Sequence, residues 1–84
     1  MTTNNRTEIA RHLTDGQRWG VAIFRNANDR YEVATLNSSA SGVRNELTSL
    51  ALSWHATEAA ARAAANVEVA HQRAHLRERG LPVY

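Results

Sequence analysis

Residues 57–79 constrain this chain more than any other stretch. They contain no Pro or Gly, they include an Ala-rich run at 59–65, and they are followed by Gly80 and Pro82. Ala is the strongest helix former, and a Gly then a Pro stop a helix cleanly. Thr57 is suited to cap the start, and Glu58 complements the positive end of the helix dipole. This pattern predicts a long helix over 57–79, with 80–84 as a tail. Stepping about 100° per residue, Ala56, Ala59, Ala60, Ala63, Ala64, Val67, Ala70 and Ala74 share one face. Such a face lies close to a sheet but buries little area. Trp19, Ile23, Leu50, Leu52 and Trp54 are therefore expected to supply bulk from the sheet side.

A partner sheet must come from the remaining residues of an 84-residue chain, which predicts one domain over 1–84. Residues 17–25 and 30–36 read as a hairpin. Trp19, Val21 and Ile23 alternate with Ala22 and Phe24, and Asn26-Ala27-Asn28-Asp29 is turn chemistry. A two-residue loop at Asn28-Asp29 would put Arg25 opposite Glu32 and Ile23 opposite Ala34. A four-residue loop over 26–29 would put Ile23 opposite Glu32. The first register pairs opposite charges and is the expected one. Residues 37–45 read as a loop. Over 46–55, Leu50, Leu52 and Trp54 alternate as in a strand, although Val43, Leu47, Leu50 and Trp54 also fit a helical spacing. A third strand is expected there, because two strands alone are marginal.

Residues 5–15 read as a short helix. Asn5 and Glu8 have capping-box spacing, Ile9 and Leu13 stand at i and i+4, and Asp15-Gly16 supplies a stop. The expected architecture is α+β, with a three-stranded antiparallel sheet on a long C-terminal helix and a short N-terminal helix.

The core of that architecture is thin. Of the residues counted as hydrophobic, 15 are Ala, which leaves 21 larger ones. In the expected register Phe24 faces Val33, and Ala22 lies on the same side, with Tyr31 near the turn. A sheet covered by helix on one side should be polar on the other. Phe24, Tyr31, Val33 and Ala22 therefore suggest a covered second face, with the N-terminal helix, another copy of the chain or a different protein as the cover, or else a stacking platform for single-stranded nucleic acid beside Arg18, Arg25 and Arg30.

Charge adds a second candidate surface. All ten cations are Arg, and the net charge is +2. Arg62, Arg73 and Arg77 fall on one flank of the long helix with Asn66 between, and Arg18, Arg25 and Arg30 belong to the hairpin. Arg grips phosphate bidentately, so these six are the candidate nucleic-acid contacts, and a solvated flank is the plainer reading. Glu68, His71, His75 and Glu78 share another strip. His71 and His75 stand at i and i+4, which suits zinc. The segment His71-Gln72-Arg73-Ala74-His75, however, has no Glu after its first His, as the metalloprotease pattern requires.

Enzyme chemistry has little to work with. The chain has no Cys and no G-x-S-x-G elbow, and its four Gly stand singly. His12 and His55 are isolated in sequence. No enzyme activity and no cofactor are expected. No 18-residue apolar stretch suggests a membrane span, and Met1–Arg6 has no apolar signal region. The expected location is the cytoplasm.

The order helix, strand, strand, strand, helix resembles that of double-stranded-RNA-binding domains. The resemblance implies phosphate-gripping cations at the start of the closing helix, which here reads Thr57-Glu58-Ala59-Ala60-Ala61-Arg62. From residue 17 onward the order is also similar to that of arm-site-binding integrase domains.

Overall fold

A computed structural model of the chain describes residues 6–15, 19–38 and 47–81. Four strands, β1 (Thr7–Asp15), β2 (Trp19–Arg25), β3 (Tyr31–Ser38) and β4 (Leu47–His55), precede one helix, α1 (Glu58–Glu78). The strands form an antiparallel meander in the order β1-β2-β3-β4, and α1 covers one face. The α+β class, the strand at β4 and the long C-terminal helix are as expected. The expected loop 37–45 starts later, because β3 continues through Asn37 and Ser38. Residues 39–45, the Asn5 cap, the stop at Gly16, Arg18 and residues 82–84 lie outside the described residues.

The N-terminal segment is a strand, not a helix, so the sheet has four strands rather than three. Two bulges in β1, between Glu8 and Ala10 and between Leu13 and Asp15, explain the misleading pattern. A bulge inserts one residue and shifts the alternation of faces. Ile9 and Ala10 consequently both pack toward the core although they are adjacent. Strict period-2 alternation is lost, and what remains in the sequence is an i, i+4 pair. Gly20 receives β1 where it pairs with Leu13. A Cβ at Gly20 would stand 2.5 Å from the His12 carbonyl oxygen, so only Gly lets the two backbones approach this closely.

The hairpin between β2 and β3 adopts neither expected register. Ile23 pairs with Val33, Ala22 with Ala34 and Phe24 with Glu32. The connecting loop spans Asn26–Arg30, closed by the Asn26 N–H donating to the Arg30 carbonyl. The Asn26 side chain accepts from the backbone of Asn28 and Arg30. Asp29 adopts φ 55°, a left-handed value that Asp tolerates. This one-residue slip moves Tyr31 and Val33 to the helix side with Val21 and Ile23. Ala22 and Phe24 stay on the other side, so the expected grouping of Phe24, Tyr31, Val33 and Ala22 is divided between the two faces.

α1 is capped as expected. Thr57 Oγ1 accepts from the Ala60 N–H at 3.2 Å. At the other end Gly80 has φ 68°, the Gly80 N–H donates to Arg77 and the Leu81 N–H donates to Leu76. This is a Schellman closure, and it requires the positive φ that Gly provides without strain.

The helix is turned so that the expected Ala face points away from the sheet. Ala61, Ala65, Gln72 and Leu76 are buried, whereas Ala59, Ala60, Ala63, Ala70 and Ala74 are exposed, and Val67 is 71% exposed; of the expected face only Ala64, at its margin, packs against the core. Each Ala contributes little area, so the count of Ala does not decide the face. Val69 and Leu76, together with the bonds made by Gln72, decide it. Burying Leu76 alone is worth about 2 kcal/mol. Leu50, Leu52 and Trp54 do not supply the core either. β4 carries a bulge between its partners to Val33 and Ala34, which leaves Leu52 unpaired. Leu50 pairs on the helix side and Trp54 on the opposite side, and both remain exposed.

Candidate functional site

Gln72 ties the helix to the sheet. Its Nε2 donates to the Gly20 carbonyl at 3.0 Å and to Glu68 at 3.2 Å. Its Oε1 accepts from the Thr14 hydroxyl at 2.6 Å. Gln72 and Thr14 are fully buried, so this clamp fixes β1, β2 and α1 relative to one another. The clamp positions a cleft of about 350 Å³ between α1 and β1. Val21, Ile23, Ala65 and Val69 form its floor, with Ala10, Arg11 and His12 along β1. Arg62, Asn66 and Arg73 line the α1 side, where Arg73 Nη2 reaches His12 Nε2 at 3.0 Å. Arg has no acceptor, so His12 Nε2 accepts in this contact.

The structure thus brings Arg62 and Arg73 together at one cleft, and the flank continues to exposed Arg77. Arg62 is held by Glu58 at 2.7 Å, one turn earlier. The hairpin arginines do not join this cleft. Arg25 pairs with Asp29 at 2.6 Å, and that hydrogen bond and charge raise its pKa above the usual guanidinium value. Arg30 is exposed at the loop.

On the face opposite the helix, Arg6 lies 3.6 Å from the Phe24 ring centroid. Arg6 Nη2 donates to Glu32 and to Ser49. Phe24 is half-buried and Ala22 fully buried, so this face is not the open apolar surface expected from the sequence. The open apolar side chains are instead Leu50 at 66%, Leu52 at 48% and Trp54 at 51%, all on the outer strand β4. Among the described residues β4 pairs only with β3.

His71 and His75 are both exposed, and His75 meets Trp19 edge-on at 5.7 Å. Among the described residues no three His, Asp or Glu side chains gather as a metal-binding group. His55 Nε2 and Ser53 Oγ lie 2.8 Å apart, two residues along β4. A serine nucleophile also needs a group that orients the base.

Three functional features were invisible in the sequence. Gln72 stood out only as the wrong residue for a metalloprotease, although Ala61, Ala65, Gln72 and Leu76 share one helix face. Arg6 gave no signal, because its partners Phe24, Glu32 and Ser49 are remote in the chain. The β1 wall of the cleft was hidden by the helical misreading of residues 5–15. No helix among the described residues is long and apolar enough to cross a membrane. Comparison of the chain with protein-family models, characterised proteins and solved structures gives no significant match.

Proposed function

We propose that this chain is a non-enzymatic interaction module that pairs with a second copy of itself through β4, an outer strand of the described sheet. The observation that carries this reading is the character of the strand Leu47–His55. It contains no Asp, Glu, Lys or Arg, yet it is an outer strand exposing Leu50, Leu52 and Trp54. An exposed, apolar, uncharged edge is a template for another strand. A twofold partnership sets each patch against its own copy, and an uncharged strand meets its copy without like-charge repulsion. Of the chain's 21 larger apolar residues, Leu50, Leu52, Trp54, Val67 and Leu81 are exposed, and so thin a core favours additional burial from a partner.

Light scattering tests the reading. A dimer has twice the 9.3 kDa chain mass. L50K/L52K places two cations on each β4 edge and should return the mass to that of one chain with the circular dichroism unchanged. A monomeric wild-type chain at millimolar concentration would refute the proposal.

The cluster of Arg62, Arg73 and Arg77 on one flank supports nucleic-acid binding as a second reading. It predicts an affinity for single- or double-stranded probes that falls steeply with salt. A net charge of +2 and the pairing of Arg25 with Asp29 and Arg62 with Glu58 favour the first reading.

A further inference from the structure

The cleft between β1 and α1 combines two chemistries that a merely solvated helix flank does not need. Its floor is aliphatic, formed by Val21, Ile23, Ala65 and Val69, and its rim carries Arg62 and Arg73. No Asp or Glu is among the described residues that line it. The carboxylate paired with Arg62 is Glu58, outside the lining, and Arg62 is about half exposed. An exposed i, i+4 pair is weak, so an entering anion can take over the guanidinium at little cost. The volume of about 350 Å³ falls at the lower end of the range for small-molecule sites.

We propose that this cleft binds a small amphipathic oxyanion, with its phosphate or carboxylate on Arg62 and Arg73 and a compact apolar body on Val21, Ile23 and Val69. Arg suits the anionic end because its planar fork donates two parallel hydrogen bonds to an oxyanion. The aliphatic floor suits the other end, because displacing water from it is favourable for an apolar group and not for a sugar-phosphate backbone. A polymer backbone would instead need a long, uniformly cationic track, whereas Arg62 in this cleft stands beside Glu58. β1 and β4 are the two outer strands of the sheet, so the cleft stays open in the β4-paired dimer.

The test follows amide resonances of the full chain during titration with four probes: 1-naphthyl phosphate, inorganic phosphate, 1-naphthol and a short single-stranded oligonucleotide. Saturable shifts are expected at 10–12 and 62–73, with 1-naphthyl phosphate binding at least tenfold more tightly than inorganic phosphate or naphthol. R62Q/R73Q should weaken that binding at least tenfold. If loss of the Arg73 contact to His12 unfolds the double variant, R62Q alone, at an exposed position, should weaken binding about threefold. Absence of shifts would overturn the proposal, as would equal binding of naphthol, or saturation of the same amides by the oligonucleotide at lower concentration. An unchanged affinity in the Arg variants would also overturn it.

Discussion

β1 and β4 hold equivalent places as the two outer strands of the meander, and they manage that exposure in opposite ways. β1 carries Glu8, Arg11 and Asp15 and bends at two bulges, and Thr14 anchors it to the buried Gln72. β4 carries no charge, has one bulge and shows solvent Leu50, Leu52 and Trp54. Charges and bulges are standard defences of a sheet edge, and β4 has only its one bulge where β1 has both charges and two bulges. The contrast teaches where this molecule is closed and where it is open. Its β1 side is fastened within the chain, and its β4 side leaves Leu50, Leu52 and Trp54 exposed.

The fastening of β1 should be the easier of the two to break. The largest effect is expected from G20A, because the new Cβ would meet the backbone oxygen of His12 rather than a movable side chain. Forcing the strands apart should cost about 3 kcal/mol, within a total of roughly 4 to 13 kcal/mol for a chain of this length. A urea midpoint measures it, and an unchanged midpoint would show that the close approach is not needed. Next comes Q72L, which removes the Gln72 amide from the Gly20 carbonyl and leaves the buried Thr14 hydroxyl only its longer contact to the Trp19 carbonyl. A cost of about 2 kcal/mol is expected. Amide exchange should then quicken in β1 more than in β4. Uniform quickening would mean that Gln72 supports the whole core rather than the β1 edge.

The same contrast explains what was legible in the sequence. α1 could be read to within a residue at each end, because Thr57 and Gly80 act locally through cap and closure. β4 could be read because Leu50, Leu52 and Trp54 alternate along the chain, although the bulge at Leu52 places Leu50 and Trp54 on opposite faces. β1 could not, since its two bulges place adjacent Ile9 and Ala10 on the core and leave Ile9 and Leu13 at a helix-like spacing. The rotation of α1 was lost for a different reason. Eight small residues on one face outnumber Val69 and Leu76 on the other, and only the tertiary bonds of Gln72 choose between the faces. The cleft depends on both of these features, so its β1 half was not visible, although the flank bearing Arg62 and Arg73 was.

At β4 a smaller change in fold stability is expected, with a large change in association. L52K alters an exposed, unpaired bulge residue, so the stability of the isolated chain should move by no more than about 0.5 kcal/mol. In the wild-type chain the melting temperature should rise with protein concentration, because association stabilises the folded form by mass action. In L52K that dependence should vanish. A wild-type melting temperature independent of concentration would remove the contrast between the two edges.

The smallest effect tests which of its two defences keeps β1 closed. Glu8 and Arg11 form an exposed i, i+3 pair at 2.7 Å, and replacing both by Thr should cost only about 0.3 kcal/mol. That variant retains both bulges and the Gln72 clamp. If Glu8 and Arg11 defended β1, each E8T/R11T chain, with Asp15 left only at the last residue of the strand, would have two usable edges. Pairing β1 to β1 and β4 to β4 would then extend the sheet without closure, and mass would grow with concentration. If the bulges defend it, the kinked backbone still cannot present an even row of donors and acceptors, and the assembly stops at two chains. The two bulges within nine residues favour the second outcome, so light scattering of E8T/R11T should give the same mass as the wild-type chain.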